Sequence, residues 1–159
     1  MGALRVRLAT VADAASIVAM IHAHAEDEDS RHLCRTTAED IRREGFGPRP
    51  LFEVLVAERR ATVLGMAMFL EVFSSWEGRP ILFLEDLYVT PAARRGGAGR
   101  ALLARLARLA RERGCPRIDW LVTDDNPARE FYHRLGAEHL ADWHFYRLRG
   151  VALDRLAER

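Results

Sequence analysis

At 159 residues, with 49% hydrophobic and 30% charged side chains, the chain has the makeup of one folded domain with room for a good core. A formal net charge of +1 argues against a nucleic-acid binder that works through a strong positive field, and no apolar run is long enough to span a membrane. Met1 to Thr10 lacks the apolar centre of a signal peptide, and Cys34 and Cys115 are too few for a disulfide framework, so a cytoplasmic protein with reduced thiols is expected.

Leu4 to Leu8 alternates apolar residues with Arg5 and Arg7, which predicts a short edge strand. Thr10-Val11-Ala12-Asp13 has the form of a capping box, with Asp in place of Glu. It opens a helix whose inward stripe is Ile17, Val18 and Ile21. That helix runs into Glu26-Asp27-Glu28-Asp29, four acids where the negative end of the helix dipole favours cations. Two readings stand there: a solvated, frayed end, or a place for a cationic substrate. Thr37 to Glu44 predicts a second helix, capped by Thr37 and stopped by Gly45, with Gly45-Phe46-Gly47-Pro48 as a turn. Leu51 to Glu58 and Thr62 to Val72 predict an antiparallel hairpin joined through Arg59-Arg60-Ala61. Ser74 to Pro80 is then a loop that carries Trp76.

Ile81 to Val89 is almost wholly apolar apart from Glu85 and Asp86, as suits a strand buried on both faces, and Pro91 ends it. Next stands Arg94-Arg95-Gly96-Gly97-Ala98-Gly99-Arg100, followed by a helix with Leu102, Leu103, Leu106, Leu109 and Ala110 on one face and Gly114 at its close. Three glycines in four residues remove the side chains that would keep a ligand from the main chain. The first helical amides have no internal partner and carry the positive end of the dipole. With Arg94, Arg95 and Arg100 as charged donors, this turn is expected to hold a phosphate or pyrophosphate. The plain alternative is a glycine-rich loop with solubilising arginines. A P-loop is excluded because the chain has no lysine, and a dinucleotide fingerprint fits poorly because Leu102 stands where its third small residue belongs.

Arg117 to Thr123 predicts another strand, and Asn126-Pro127 caps a helix over Ala128 to Leu135 that Gly136 ends. Glu138 to Leu148 can supply a last strand and Val151 to Arg159 a final helix. The sum is a single mixed α/β domain, with a hairpin-rich first half and a parallel crossover at the glycine turn.

Arg94-Arg95-Gly96-Gly97-Ala98-Gly99, placed after Leu87-Tyr88-Val89, resembles the R-x-x-G-x-G motif with which the GNAT superfamily of N-acetyltransferases holds the pyrophosphate of acetyl-CoA. Asn126 to Ala137 resembles the N-x-x-A-x-x-F-Y-x-x-L-G-A signature of many of these enzymes, with one residue fewer between Asn126 and Ala128. The resemblance implies a central mixed sheet flanked by helices, pantetheine contacts at Leu87, Tyr88, Val89, Asn126 and Ala128, and a tyrosine, Tyr132, that protonates the departing thiolate. Acetyl transfer to an amine also needs a base, since a free alkylammonium titrates near ~10.4. Glu85 and Asp86 are adjacent in a strand and should point to opposite faces. Glu85, on the face of Phe83 and Leu87, is the base expected to act through water, while either carboxylate could instead be a satisfied core group.

Arg7-Leu8-Ala9-Thr10, Gly45-Phe46-Gly47, Leu55-Val56-Ala57-Glu58, Trp76-x-Gly78, Leu84 to Val89 and Arg113-Gly114-Cys115 resemble the diamine branch, the spermidine/spermine and thialysine acetyltransferases. That likeness implies a homodimer, acetyl-CoA as donor, and contacts from Asp27, Glu28, Trp76, Glu85 and Asp86 to a small cationic amine. The chain departs from the branch at Ser74 and Ser75, which replace an Asp-Pro pair, and at Asp125, which stands in place of a tryptophan. The rivals are acetylation of a protein N-terminus or an antibiotic amine, and a silent acyl-CoA-binding module; the presence of both Glu85 and Tyr132 speaks against the last. His22 and His24 lie two apart on a helix and face away from each other, so no metal is expected.

Overall fold

Alternation and turn chemistry shape the first half of the chain. The computed structural model describes residues 2–158. Within these, β1 (Arg5–Leu8), β2 (Glu53–Arg59), β3 (Thr62–Ser74) and β4 (Arg79–Val89) pair in succession, each antiparallel to the next. β5 (Ile118–Trp120) adds to β4 in parallel, which makes a mixed five-stranded sheet. At the β2–β3 turn Arg60 and Ala61 take φ of 52° and 61°, the pair of positive values that matches the twist of the flanking strands.

Capping chemistry fixes the helix starts. Thr10 donates its amide to Asp13 at 2.7 Å and opens a single 3₁₀ turn that leads into α1 (Ala14–Asp27). Arg7 clamps the same carboxylate with two bonds of 2.8 and 2.9 Å, and holds its pKa down to about 2. Thr37 and Asp40 form a second capping box at the start of α2 (Ala38–Phe46). This helix runs through Gly45, where a stop and a turn were expected. Gly45 is small for packing: a Cβ there would lie 2.6 Å from the Phe52 ring. α3 (Ala98–Glu112) makes the crossover from β4 to β5 and closes at Gly114, whose φ is 72°.

The two sheet faces carry separate cores. On one, Leu102, Leu106, Leu109 and Ala110 of α3 cover Leu55, Ala57, Ala67, Phe69, Leu82 and Leu84. On the other, Ile17 and Met20 of α1 and Ile41 of α2 cover Val54, Val56, Met66, Met68 and Tyr88. Each fully buried aliphatic side chain is worth ~1.5–3 kcal/mol, so these two stripes lock the helices onto the sheet.

The chain divides into two compact units, residues up to Leu121 and residues from Val122. The second contains α4 (Arg129–Arg134) and α5 (Val151–Ala157). β5 ends at Trp120, three residues short of its expected end, and Glu138 to Leu148 is not a strand. A strand needs a neighbour for its ladder, and among the described residues this stretch is paired with none. Arg159, expected in the last helix, lies outside the described residues.

Candidate active site

The segment from β4 into α3 is built to present main-chain donors. Three amides close internally: Ala93 to Thr90 (2.9 Å), Arg94 to Pro91 (3.3 Å) and Gly96 to Ala93 (3.2 Å). Arg95 and Gly97 then take φ of 62° and 85°, and the chain enters the helix. The first helical bond runs from the Ala101 amide to the Gly97 carbonyl at 2.9 Å. The amides of Ala98, Gly99 and Arg100 therefore precede the helical ladder and point out of its N-terminus. Nothing lies within 4 Å of where a Gly97 Cβ would sit, and Arg95 and Arg100 are exposed beside it. Such a cradle fits a diphosphate. Arg94 is engaged differently: its Nε donates to the Val89 carbonyl at 3.0 Å, its Nη2 bonds Asp27, and its guanidinium lies 5.6 Å from the Tyr88 ring.

β4 carries a bulge where its two acids stand. Met68 pairs with Asp86 but Phe69 pairs with Leu84, so Glu85 is the extra residue. Leu82 and Leu84 face α3, yet beyond the bulge it is Leu87 and Val89 that pack there, three residues on instead of two. Glu85 therefore does not sit in one alternating row with Phe83 and Leu87, as expected for an unbroken strand. β5 pairs β4 only at Leu82, Phe83 and Leu84, so the main chain of Leu87, Tyr88 and Val89 continues past the parallel ladder. Its outer edge is not taken by β5, although the Val89 carbonyl there already accepts the Arg94 Nε, so a ligand that needs strand-like hydrogen bonds would have to displace that guanidinium.

Beside the bulge lies a shallow, open depression of about 250 Å³ whose lining includes His24, Glu28, Ser30, Leu33, Cys34 and Asp86. Burial pushes the Asp86 carboxyl above the usual range; His24 pulls it back and Glu28 adds to the rise. Partial burial and the neighbouring Asp86 charge push Glu85 up as well, but Glu85 is largely exposed and water limits the effect.

The structure thus brings Glu28 and Asp86 together and joins Asp27 to Arg94. Trp76 lies in the turn that opens β4 and is 85% exposed, while the glycine turn follows the other end of that strand. Asn126, Ala128 and Tyr132 belong to the second unit. There the Asn126 side chain accepts the Ala128 amide at 2.9 Å, Tyr132 is half-buried on α4, and its ring centroid is 5.5 Å from that of Phe131. A shallow cleft of about 450 Å³ in this unit is lined by Asn126 but not by Tyr132. Among the described residues no group of acids, histidines and cysteines could hold a metal, and no helix is long and apolar enough to cross a membrane.

His24 is the site residue that sequence reasoning missed. Its Nε2 lies 3.7 Å from Asp86 Oδ1 and 3.8 Å from Glu28 Oε1. The signal was present: His24 and Glu28 are four apart on one helix.

The profile of the acetyltransferase (GNAT) family matches residues 17–137. The thialysine N-epsilon-acetyltransferase of Mus musculus is 34% identical, and the match covers 100% of both chains. The spermidine/spermine N(1)-acetyltransferase-like protein 1 of Homo sapiens is also 34% identical, over 90% of this chain and 22% of its own length. Among solved structures, an integron cassette protein from V. cholerae superposes with a TM-score of 0.82 at 24% identity, covering 98% of each chain.

Proposed function

The chain belongs to the acetyltransferase (GNAT) family and is an acetyltransferase, and from that premise we propose that it moves acetyl from acetyl-CoA directly to a primary amine of a small cationic substrate. Members of this family use acetyl-CoA as cosubstrate. One observation carries the reading: helix-start amides with no helical partner follow directly on a strand whose bulge sits beside a depression lined by two carboxylates.

Each residue then has a task. The amides of Ala98, Gly99 and Arg100, with Arg94, Arg95, Gly96 and Gly97 around them, hold the pyrophosphate. The main chain of Leu87, Tyr88 and Val89 aligns the pantetheine arm. Glu28 and Asp86 receive the cationic chain; Asp27 is already engaged by Arg94, and Trp76 stands at the opposite end of β4, out of reach of the same small ligand within one chain. Bound acetyl-CoA supplies a thioester, whose C–S bond breaks as the new N–C bond forms. Glu85 takes the amine proton through water, and its raised pKa suits it to that exchange. Tyr132 returns a proton to the sulfur; a phenol titrating near ~10 still carries that proton at neutral pH. The protein acts as a cytoplasmic homodimer.

The close relatives named for thialysine and for spermidine/spermine acetylation support a small diamine or amino acid as acceptor. Thiol release from acetyl-CoA, followed against thialysine, spermidine, an aminoglycoside and a peptide with a free N-terminus, tests this. Turnover is expected with the first two. Turnover confined to the peptide or the aminoglycoside would refute the acceptor class, and none with any amine would refute the transfer.

A further inference from the structure

The inward stripe of α1 changes character along its length. Ile17 and Met20 are buried, Ile21 is partly so, and the same face then presents His24 and Glu28 at the level of Asp86. Nothing in the packing calls for an imidazole there, since a leucine would continue the stripe. Among the residues that line the depression His24 alone can become a cation.

Both of its carboxylate distances, 3.7 and 3.8 Å, are within ion-pair range and beyond hydrogen-bond length. An imidazolium there attracts both acids without being committed to either, so an incoming ammonium can take its place. The groups facing the ring are few. Glu28 comes from α1 itself, Asp86 and Tyr88 from β4, with the Tyr88 ring centroid 5.8 Å away, and Cys34 from the loop after α1. Arg94 lies over Tyr88 and is engaged by Asp27.

We infer that His24 sets how many positive charges the amine pocket accepts. With His24 protonated, the pocket has one carboxylate charge to offer and receives a single ammonium. With His24 neutral, it offers two and receives a diamine. Imidazole is the side chain that changes charge near neutrality. Aliphatic ammonium groups stay charged throughout that range, titrating near ~10.4, so a change in preference with pH must come from the protein. The inference rests on the reading that this depression receives the amine.

The test is equilibrium binding of 1,4-diaminobutane and 1-aminobutane to the full chain at pH 6 and pH 8, beside the acetyl-transfer assay. In the native protein the preference for the diamine should rise about tenfold between the two pH values, the scale of one charge interaction in a half-buried site. His24→Gln should show the high preference at both pH values, and His24→Arg the low one at both. His24→Leu should match His24→Gln, which guards against a folding defect in either variant. An equal pH step in all four proteins would overturn the inference, because a purely structural histidine would weaken both amines alike. Failure of either amine to bind at either pH would overturn it too. Failure of the transfer reading would look different: amines bind with the expected pattern, yet no thiol is released.

Discussion

At the scale of single residues, two side chains separate chemistry from stability. Removing the Tyr132 hydroxyl deletes a proton donor but keeps the ring that packs beside Phe131. Tyr132→Phe should therefore lower kcat by about 10²–10⁴, the span of one general acid, while coenzyme A affinity stays within twofold. Unchanged turnover would remove the residue from its role. Asp86 makes the opposite case. Burial raises its carboxyl pKa in the folded state, so the folded protein binds more protons than the unfolded chain between the two pKa values. The sign follows: stability falls as pH climbs through that window, and the ionised form is a burden at neutrality. Asp86→Asn should raise the melting temperature at pH 7, lose that gain at low pH, and weaken amine binding. A variant both less stable and fully active would mean that Asp86 serves packing alone.

At the scale of elements, what could be read in advance depended on how local the cause was. The capping box at Thr10, the cap at Thr37, the β2–β3 hairpin and the apolar face of α3 are set by residues within a few positions of one another, and all were legible. Gly45 was misread because its reason is the distant Phe52 ring. The bulge at Glu85 carries no glycine or proline to mark it, since it answers to the register of β3. The glycine turn was legible because its requirement is local, and it can be tested locally. Gly97 sits at a φ of 85°, where a side chain costs ~1–2 kcal/mol, and the space a Cβ would enter beside the helix start is empty of protein atoms and so open to a ligand. Gly97→Ala should thus cost both stability and affinity, lowering coenzyme A binding at least tenfold in calorimetry. A variant destabilised by that amount that binds coenzyme A normally would show the cradle to be structural only.

At the scale of the molecule, the question is what covers the apolar surface of the second unit. Trp143, Phe145 and Tyr146 are 68%, 65% and 88% exposed, and Val151 and Leu156 of α5 are exposed as well. The sequence over Glu138 to Leu148 reads as a strand, and no sequence pattern tells whether the neighbour that a strand needs lies in the same chain. An aromatic side chain buries ~150–250 Å² when covered, so Phe145 and Tyr146 with the apolar side chains of α5 make up a large part of one partner's share of a standard interface. The proposed homodimer gives this surface a partner, and two chains of 18.0 kDa should run together at about 36 kDa in light scattering. Phe145→Glu, which places a charge in the middle of the patch, should shift the mass towards 18.0 kDa and leave the two cores on either side of the sheet intact, as read by the near-ultraviolet dichroism of Trp120 and Tyr88. A native protein that stays at 18.0 kDa at tens of micromolar would exclude the dimer and leave the exposed aromatics to a different partner.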